Sequence, residues 1–393
     1  MAIVINSATG EIDLNATTPG TYKVTYTTNG SCPITVDNTI TVNALDGATF
    51  AYSSNSLPQT GTASLTTTPT TSGGVFSAYP SGLSINSSTG EINLANSTIQ
   101  SYKIFYETSG AGCPNSSTFD LAVTSAFTGL LDTYTGSQAA YSLRRLSSSY
   151  TGNLIRVTKK VSNVISTTDI GYNSNNELDT TALATFASGA DNGEVRVDIW
   201  YDQSGNSNNV TQSSFTGCPY IYQSGSLITE NSKPAIKNGG NIALETTNSP
   251  FNSQVLSSFM VNKYYTTSNY HVLLTIGNSN ATSFRFFNVN NYGNWRANGL
   301  NLNGTSGDLD IQNLSSAYNT TTNLYARYNG SQFGTASGTA GAFTSSEIRI
   351  GKNLANANQN FNGTYQEFIF YSSEQSSNMS GIETNINNYY SIY

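Results

Sequence analysis

A stretch near the start of the chain, INSATGEIDLNATTPGTYKVTYTT (residues 5–28), returns as INSSTGEINLANSTIQSYKIFYETS (residues 85–109) at an offset of 80 residues. A repeat of this length means one supersecondary unit built twice, so the first third of the chain cannot be a single irregular fold. Each copy holds a turn, Ser-x-Thr-Gly-Glu at 7–11 and 87–91, between short alternating runs that predict strands. Tyr22, Val24 and Tyr26 fall on one face of such a strand, and Tyr102, Ile104 and Tyr106 fall on the equivalent face of its copy. The copies differ in what precedes them. The second is led by residues 47–81, with FAYSS, ASLTTT and GGVFSAYP, and the first has no counterpart to that stretch. The first copy is therefore half a unit, and half a sandwich exposes strand edges and an apolar face that native proteins avoid. We expect residues 1–45 either to follow further upstream chain or to complete their sheet with another polypeptide.

The period and the short strands resemble the immunoglobulin-like repeats of bacterial surface and phage proteins. The resemblance implies a partial repeat over 1–45 and a full domain over 46–125. From residue 126 to 393 the repeat stops and another pattern begins. Composition supports strands throughout: 25 Tyr and 17 Phe against only 10% charged residues suit half-buried pleated surfaces, with Asn and Gly for the turns. Disorder is disfavoured, because it goes with few aromatics and high net charge.

The 126–393 region carries AYSLRRLSSSYTGNLIRV (residues 140–157) and DIWYDQSGNSNNVTQ (residues 198–212). In order and spacing this pair resembles the catalytic β-sandwich of the α-L-arabinofuranosidase B family. Its last part, TYQEFIFY (residues 364–371) followed by Met379, Ile382, Ile386 and Tyr389 at helical spacing, resembles the concanavalin-like, laminin-G-type jelly rolls of Flavobacterium-type phage and surface proteins. The expected fold is thus all-β: Ig-like sandwich repeats, then a jelly-roll sandwich with a short C-terminal helix capped by Ser376 or Ser377. A second helix is expected at residues 180–188, capped by Asp179.

The arabinofuranosidase resemblance implies chemistry that these residues do not supply. Where that family carries its nucleophilic glutamate in a Gly-Asn-Ala-Glu run, this chain has Gly277, Asn278, Ser279 and Asn280. Asn298, in NWRANGLNLNG, falls nearest the family's acid position. The family's vicinal cysteine pair aligns with Val272 and Leu273. Between Glu245 and Asp308 there is no Asp or Glu at all. A retaining glycosidase needs two carboxyl groups about 5 Å apart, and amides cannot take over their proton transfers. They can still bond sugar hydroxyls. The expected function is recognition without cleavage, with Asn280, Tyr292, Trp295, Arg296, Asn298, His271 and Tyr270 as candidate glycan contacts, the aromatic faces offering stacking area. The run Trp200, Tyr201, Asp202, Gln203, Ser204 and Gly205 is expected to be structural: a strand ending in a turn whose Asp bonds backbone N–H groups and whose Gly permits positive φ.

Charge and cysteine content narrow the partners. A net charge of −7 with 16 Lys plus Arg leaves no cationic surface for nucleic acid and no polybasic membrane anchor, and no run approaches a membrane span. The opening MAIVINSATGEI lacks the features of a secretory signal. Three cysteines, Cys32, Cys113 and Cys218, are an odd number, and Cys32 and Cys113 sit at equivalent places in the two copies, so no disulfide framework is implied. A lone His271 without a cysteine cluster excludes a zinc site. No cofactor is expected beyond calcium, for which Asp308 and Asp310 are the candidates. Together these readings imply a phage virion spike or fibre that attaches to host-surface glycan. Its Ig-like region would meet other virion proteins, and a homo-oligomer, by analogy a trimer, would supply avidity. A bacterial surface adhesin, or a hydrolase using unidentified carboxylates such as Asp308 or Asp310, are the alternatives.

Overall fold

A computed structural model describes residues 2–109, 113–239, 242–246, 248, 250–265, 270–277, 283–289, 292–304, 309–352 and 359–393, the side chains of 344–346 excepted. It is almost wholly β and divides into two compact units, Met1–Phe127 and Thr128–Tyr393.

In the first unit, β1 (Gly20–Thr27) and β2 (Thr35–Val42) form an isolated antiparallel pair. The remaining strands are β3 (Ser56–Pro58), β4 (Thr62–Ala63), β5 (Val75–Tyr79), β6 (Ile92–Asn93), β7 (Ser101–Glu107) and β8 (Ser116–Thr124). They make a four-stranded sheet in the order β3-β8-β7-β5 and a small β4-β6 pair. The repeated turn is built identically in both copies. Asn6 Oδ1 accepts from the N–H groups of Ala8 and Thr9, Asn86 Oδ1 from those of Ser88 and Thr89, and Gly10 and Gly90 take φ of 76° and 73°. Around β7 and β8 the alternation closes a core of Phe50, Tyr52, Phe76, Ile92, Leu94, Tyr102, Ile104, Tyr106, Leu121 and Val123. The equivalent face of the first copy stays open: Tyr26 is 70% exposed where Tyr106 is 3%, and Leu14 is 68% exposed where Leu94 is 3%.

The second unit is a two-layered sandwich in which 19 strands connect into one continuous hydrogen-bonded network, beside two separate two-stranded pairs. Its axis is the strand Asn362–Tyr371. One edge pairs with Ser257–Tyr264, and the other with Ser137–Ser142 and Ile236–Gly239. Nine of its ten residues are buried, so it carries apolar side chains in both directions. Phe368 and Phe370 enter the inter-layer core with Met260, Trp200, Leu274, Phe286 and Trp295. Ile369 and Tyr371 point outward into a second cluster, where Phe259, Val261 and Leu314 meet Met379, Ile382, Ile386 and Tyr390 of the C-terminal helix Met379–Tyr390. That cover is the reason both faces of the strand are apolar.

The helix expected near the C-terminus is present, with Asn378 rather than Ser376 or Ser377 at its N-cap position. The helix Thr180–Ala187 is capped as expected, Asp179 Oδ1 accepting from Thr181 and Ala182 N–H. Among the described residues no helix is long and apolar enough to span a membrane.

Candidate functional site

The Trp200–Gly205 run turns a buried strand end into a rigid corner. Trp200 is fully buried and stacks on Tyr365 at 5.6 Å, its indole N–H donating to Ser142 O. Asp202 anchors the turn. Its Oδ1 accepts from Ala140 N–H and Ser204 N–H, and its Oδ2 from Asn208 N–H and Ser204 Oγ. Gln203 clamps the neighbouring segment, accepting from Leu146 N–H and donating to Ser142 and Arg144 carbonyls. Gly205 adopts φ 88°, where a side chain is strained. Tyr201 donates to Asp169. This corner therefore ties residues 140–146 to 202–208 through Asp202 Oδ1 and the Gln203 side chain.

Beside it opens a cleft of about 440 Å³ walled by Leu131, Asp132, Ser147, Ser149, Tyr150 and Ser204. Small-molecule pockets run from about 300 to 1,000 Å³, so one or two sugar rings fit its scale. Hydroxyls dominate the polar wall, and Tyr150 and Leu131 supply the apolar part. Asp132 is the only carboxylate in the lining. Its Oδ1 accepts from Ser147 Oγ at 2.7 Å, and its Oδ2 from Gly129 N–H at 2.7 Å and Ser148 N–H at 2.8 Å. Partial burial raises its pKa, but these hydrogen bonds outweigh burial and leave it below the usual carboxylate value. Asp132 is thus a fixed anion, poorly suited to give up a proton. Tyr150 behaves oppositely: burial, reinforced by the charge of Asp202, pushes its phenol up to about 12. It stays protonated and donates to Asn153 O.

Of the residues proposed from sequence as glycan contacts, Trp295 and Asn298 have other roles. Trp295 is fully buried between Phe284 and Phe286, at 5.4 and 4.6 Å, so its ring is core and not a stacking platform. Asn298 sits at φ 33° in the turn between Tyr292–Ala297 and Leu300–Leu302, donating to Ala342 O. It is a turn residue, which explains an Asn followed by Gly299. His271 Nδ1 lies 2.9 Å from Asn360 O. Tyr270 packs on Phe287 at 4.7 Å, and Tyr292 is 42% exposed. Arg296 faces Arg285 directly across the strand pair, both guanidinium groups over the Phe287 ring. Arg285 is 1% exposed, with no partner for Nε or Nη2. Burial lowers its pKa, and neighbouring Arg296 adds to that, while Tyr270 opposes it.

Asn280 and Asp308 lie outside the described residues. Asp310 is exposed, and among the described residues no three His, Cys, Asp or Glu side chains gather to hold a metal ion. The cleft residues Asp132, Ser147, Ser149 and Tyr150 were not singled out by sequence. The signal that pointed nearest to them was the serine run before Tyr150 in the first of the two motifs.

No family model matches the chain, and no curated protein sequence matches it. Among solved structures it is similar to an arabinofuranosidase complexed with arabinofuranosyl-α-1,2-xylobiose, at 18% identity and a TM-score of 0.53, over 66% of this chain and 64% of that one. A mutant of a GH54 α-L-arabinofuranosidase soaked with 4-nitrophenyl α-L-arabinofuranoside aligns at 18% identity and TM-score 0.53, over 66% and 65%. The same enzyme type soaked with a cyclic sulfate inhibitor aligns at 19% and 0.50, over 66% and 65%. The chain spans just under two thirds of those proteins' length. At such identity the likeness is one of fold.

Proposed function

We propose that the second unit is a carbohydrate-recognition module that holds a glycan without cutting it, and that the protein serves as a virion spike or fibre attaching to host-surface glycan. The cleft beside the Trp200–Gly205 corner carries this reading. It presents hydroxyls and one aromatic ring at the scale of a small saccharide, with a single carboxylate that already accepts three hydrogen bonds. Hydrolysis of a glycosidic bond takes a pair of carboxyl groups, one of them able to deliver a proton. The fold's likeness to structures of an arabinofuranosidase complexed with arabinofuranosyl-α-1,2-xylobiose and of one soaked with 4-nitrophenyl α-L-arabinofuranoside adds support.

The test is a glycan array probed with the full chain, repeated with Ser149→Trp to fill the cleft and with Asp132→Asn. Retention of one glycan class by the parent and a loss of at least tenfold in Ser149→Trp is the expected result. Binding indifferent to Ser149→Trp removes the cleft from the argument. Release of reducing sugar from the retained glycan would replace recognition by hydrolysis. Immunogold labelling of intact particles against labelling of bacterial cells separates the virion role from a cell-surface adhesin.

A further inference from the structure

The two copies of the repeat let one serve as the template for what the other lacks. In the complete copy, residues 46–81 supply the missing half. β5 pairs with β7 in the register Phe76↔Tyr106 and Ala78↔Ile104, and β3 runs parallel along β8. Phe76 packs on Tyr106 at 4.5 Å and so close over Gly90 that a Cβ there would lie 2.9 Å from its ring. Tyr52 donates to Gly90 O, and Phe50 meets Phe76 edge-on at 5.3 Å.

Most features that receive this segment recur in the first copy, empty, although Asn38 stands opposite Val24 where Phe119 stands opposite Ile104. Ile5, Gly10, Val24 and Tyr26 stand where Ile85, Gly90, Ile104 and Tyr106 stand in the second, and they line an open cleft of about 390 Å³. A Cβ at Gly10 would meet nothing within 4 Å. Among the described residues β1 and β2 pair only with each other, so the edges that β7 and β8 give to β5 and β3 are unpaired. The face is apolar and its edges are unsatisfied, the combination that drives strand addition.

We infer that the β1–β2 face is an acceptor for an extended, aromatic, almost uncharged β-segment of the 46–81 pattern, which adds to it as further strands. Its chemistry follows from the template: Asp46 is the only charged residue in 46–81. A phenylalanine seats over Gly10, a tyrosine hydroxyl reaches Gly10 O, and backbone pairs with the β1 edge from Lys23 to Thr27. This inference stands apart from the glycan reading, which concerns the other unit.

The test uses the full chain and a labelled synthetic peptide of residues 46–82, followed by fluorescence anisotropy. Saturable binding is expected, weakened at least tenfold by Val24→Asp in the chain and by Phe76→Ala in the peptide. Because Val24 belongs to the first copy, its effect separates binding there from exchange into the second. Circular dichroism melting of Val24→Asp should match the parent, since that face buries little. The inference is overturned by an absence of binding, or by binding that Val24→Asp leaves intact.

Discussion

Asp132 shows how one side chain can report on the cleft. Its pKa is lower in the folded protein than the value of about 3.9 in an unfolded chain. Its stabilising contribution is therefore complete above that value and disappears as pH falls through the lower folded pKa. Asp132→Asn should melt below the parent near neutral pH, and the gap should narrow on acidification; a gap independent of pH would mean the carboxylate is not the ionised acceptor described. Two buried charges should respond in opposite ways. Glu367 is fully buried and receives Arg144 through Nε at 2.9 Å and Nη2 at 3.1 Å, so Glu367→Gln leaves an unpaired cation at a cost of about 3–5 kcal/mol. Arg285 has no carboxylate partner among the described residues, so Arg285→Met should be neutral or stabilising by about 1 kcal/mol. Urea denaturation of both variants checks the contrast. Burial pushes the Cys218 thiol up to about 12, while Cys32 is exposed. Iodoacetamide on the native protein should label Cys32 and spare Cys218 until unfolding.

At the level of elements, the C-terminal helix is held by more than its apolar stripe. Glu383, 1% exposed, accepts from Arg327 Nε and Nη2 and from Ser316 Oγ, tying the helix to the strands Asn323–Tyr328 and Asn313–Asn319. Arg327→Ala strands that carboxylate in the interior, and the expected loss is again about 3–5 kcal/mol by urea denaturation. A loss below 1 kcal/mol would show that the helix is held by its leucine-like packing alone. Helix and strand were legible because periodicity is a local property: Met379, Ile382 and Ile386 mark a face, and Asp179 marks a cap. What periodicity leaves open is which face a strand gives to the core. Trp295 and Arg296 are adjacent in sequence and point to opposite sides, and nothing local says that the tryptophan's side is the interior. Asn298-Gly299 did carry a local signal, that of a tight hairpin turn, and alignment to a catalytic position obscured it.

For the whole molecule, the 80-residue offset and the two motifs are signals that lie in contiguous stretches of sequence. The cleft was not legible in that way, because its walls come from residues 131–150 and 203–205, brought together by hydrogen bonds of Asp202, Gln203, Ser204, Asn206 and Asn208 to residues 137–146. The exposure of Leu14 and Tyr26 could be anticipated, since comparison of the two copies shows that the first lacks the stretch preceding the second. One further property follows from the pairing of Ser137–Ser142 with Asn362–Tyr371, the first and last strands of the second unit. They run antiparallel, with Ser137 opposite Tyr371 and Ser142 opposite Glu367. Tension applied between Thr128 and Tyr393 would first peel away the terminal helix and then open this seam like a zipper, one rung at a time. In an optical trap the unit should yield at low force when pulled by those two points. It should resist far more when the same tether is moved to points that load the seam lengthwise.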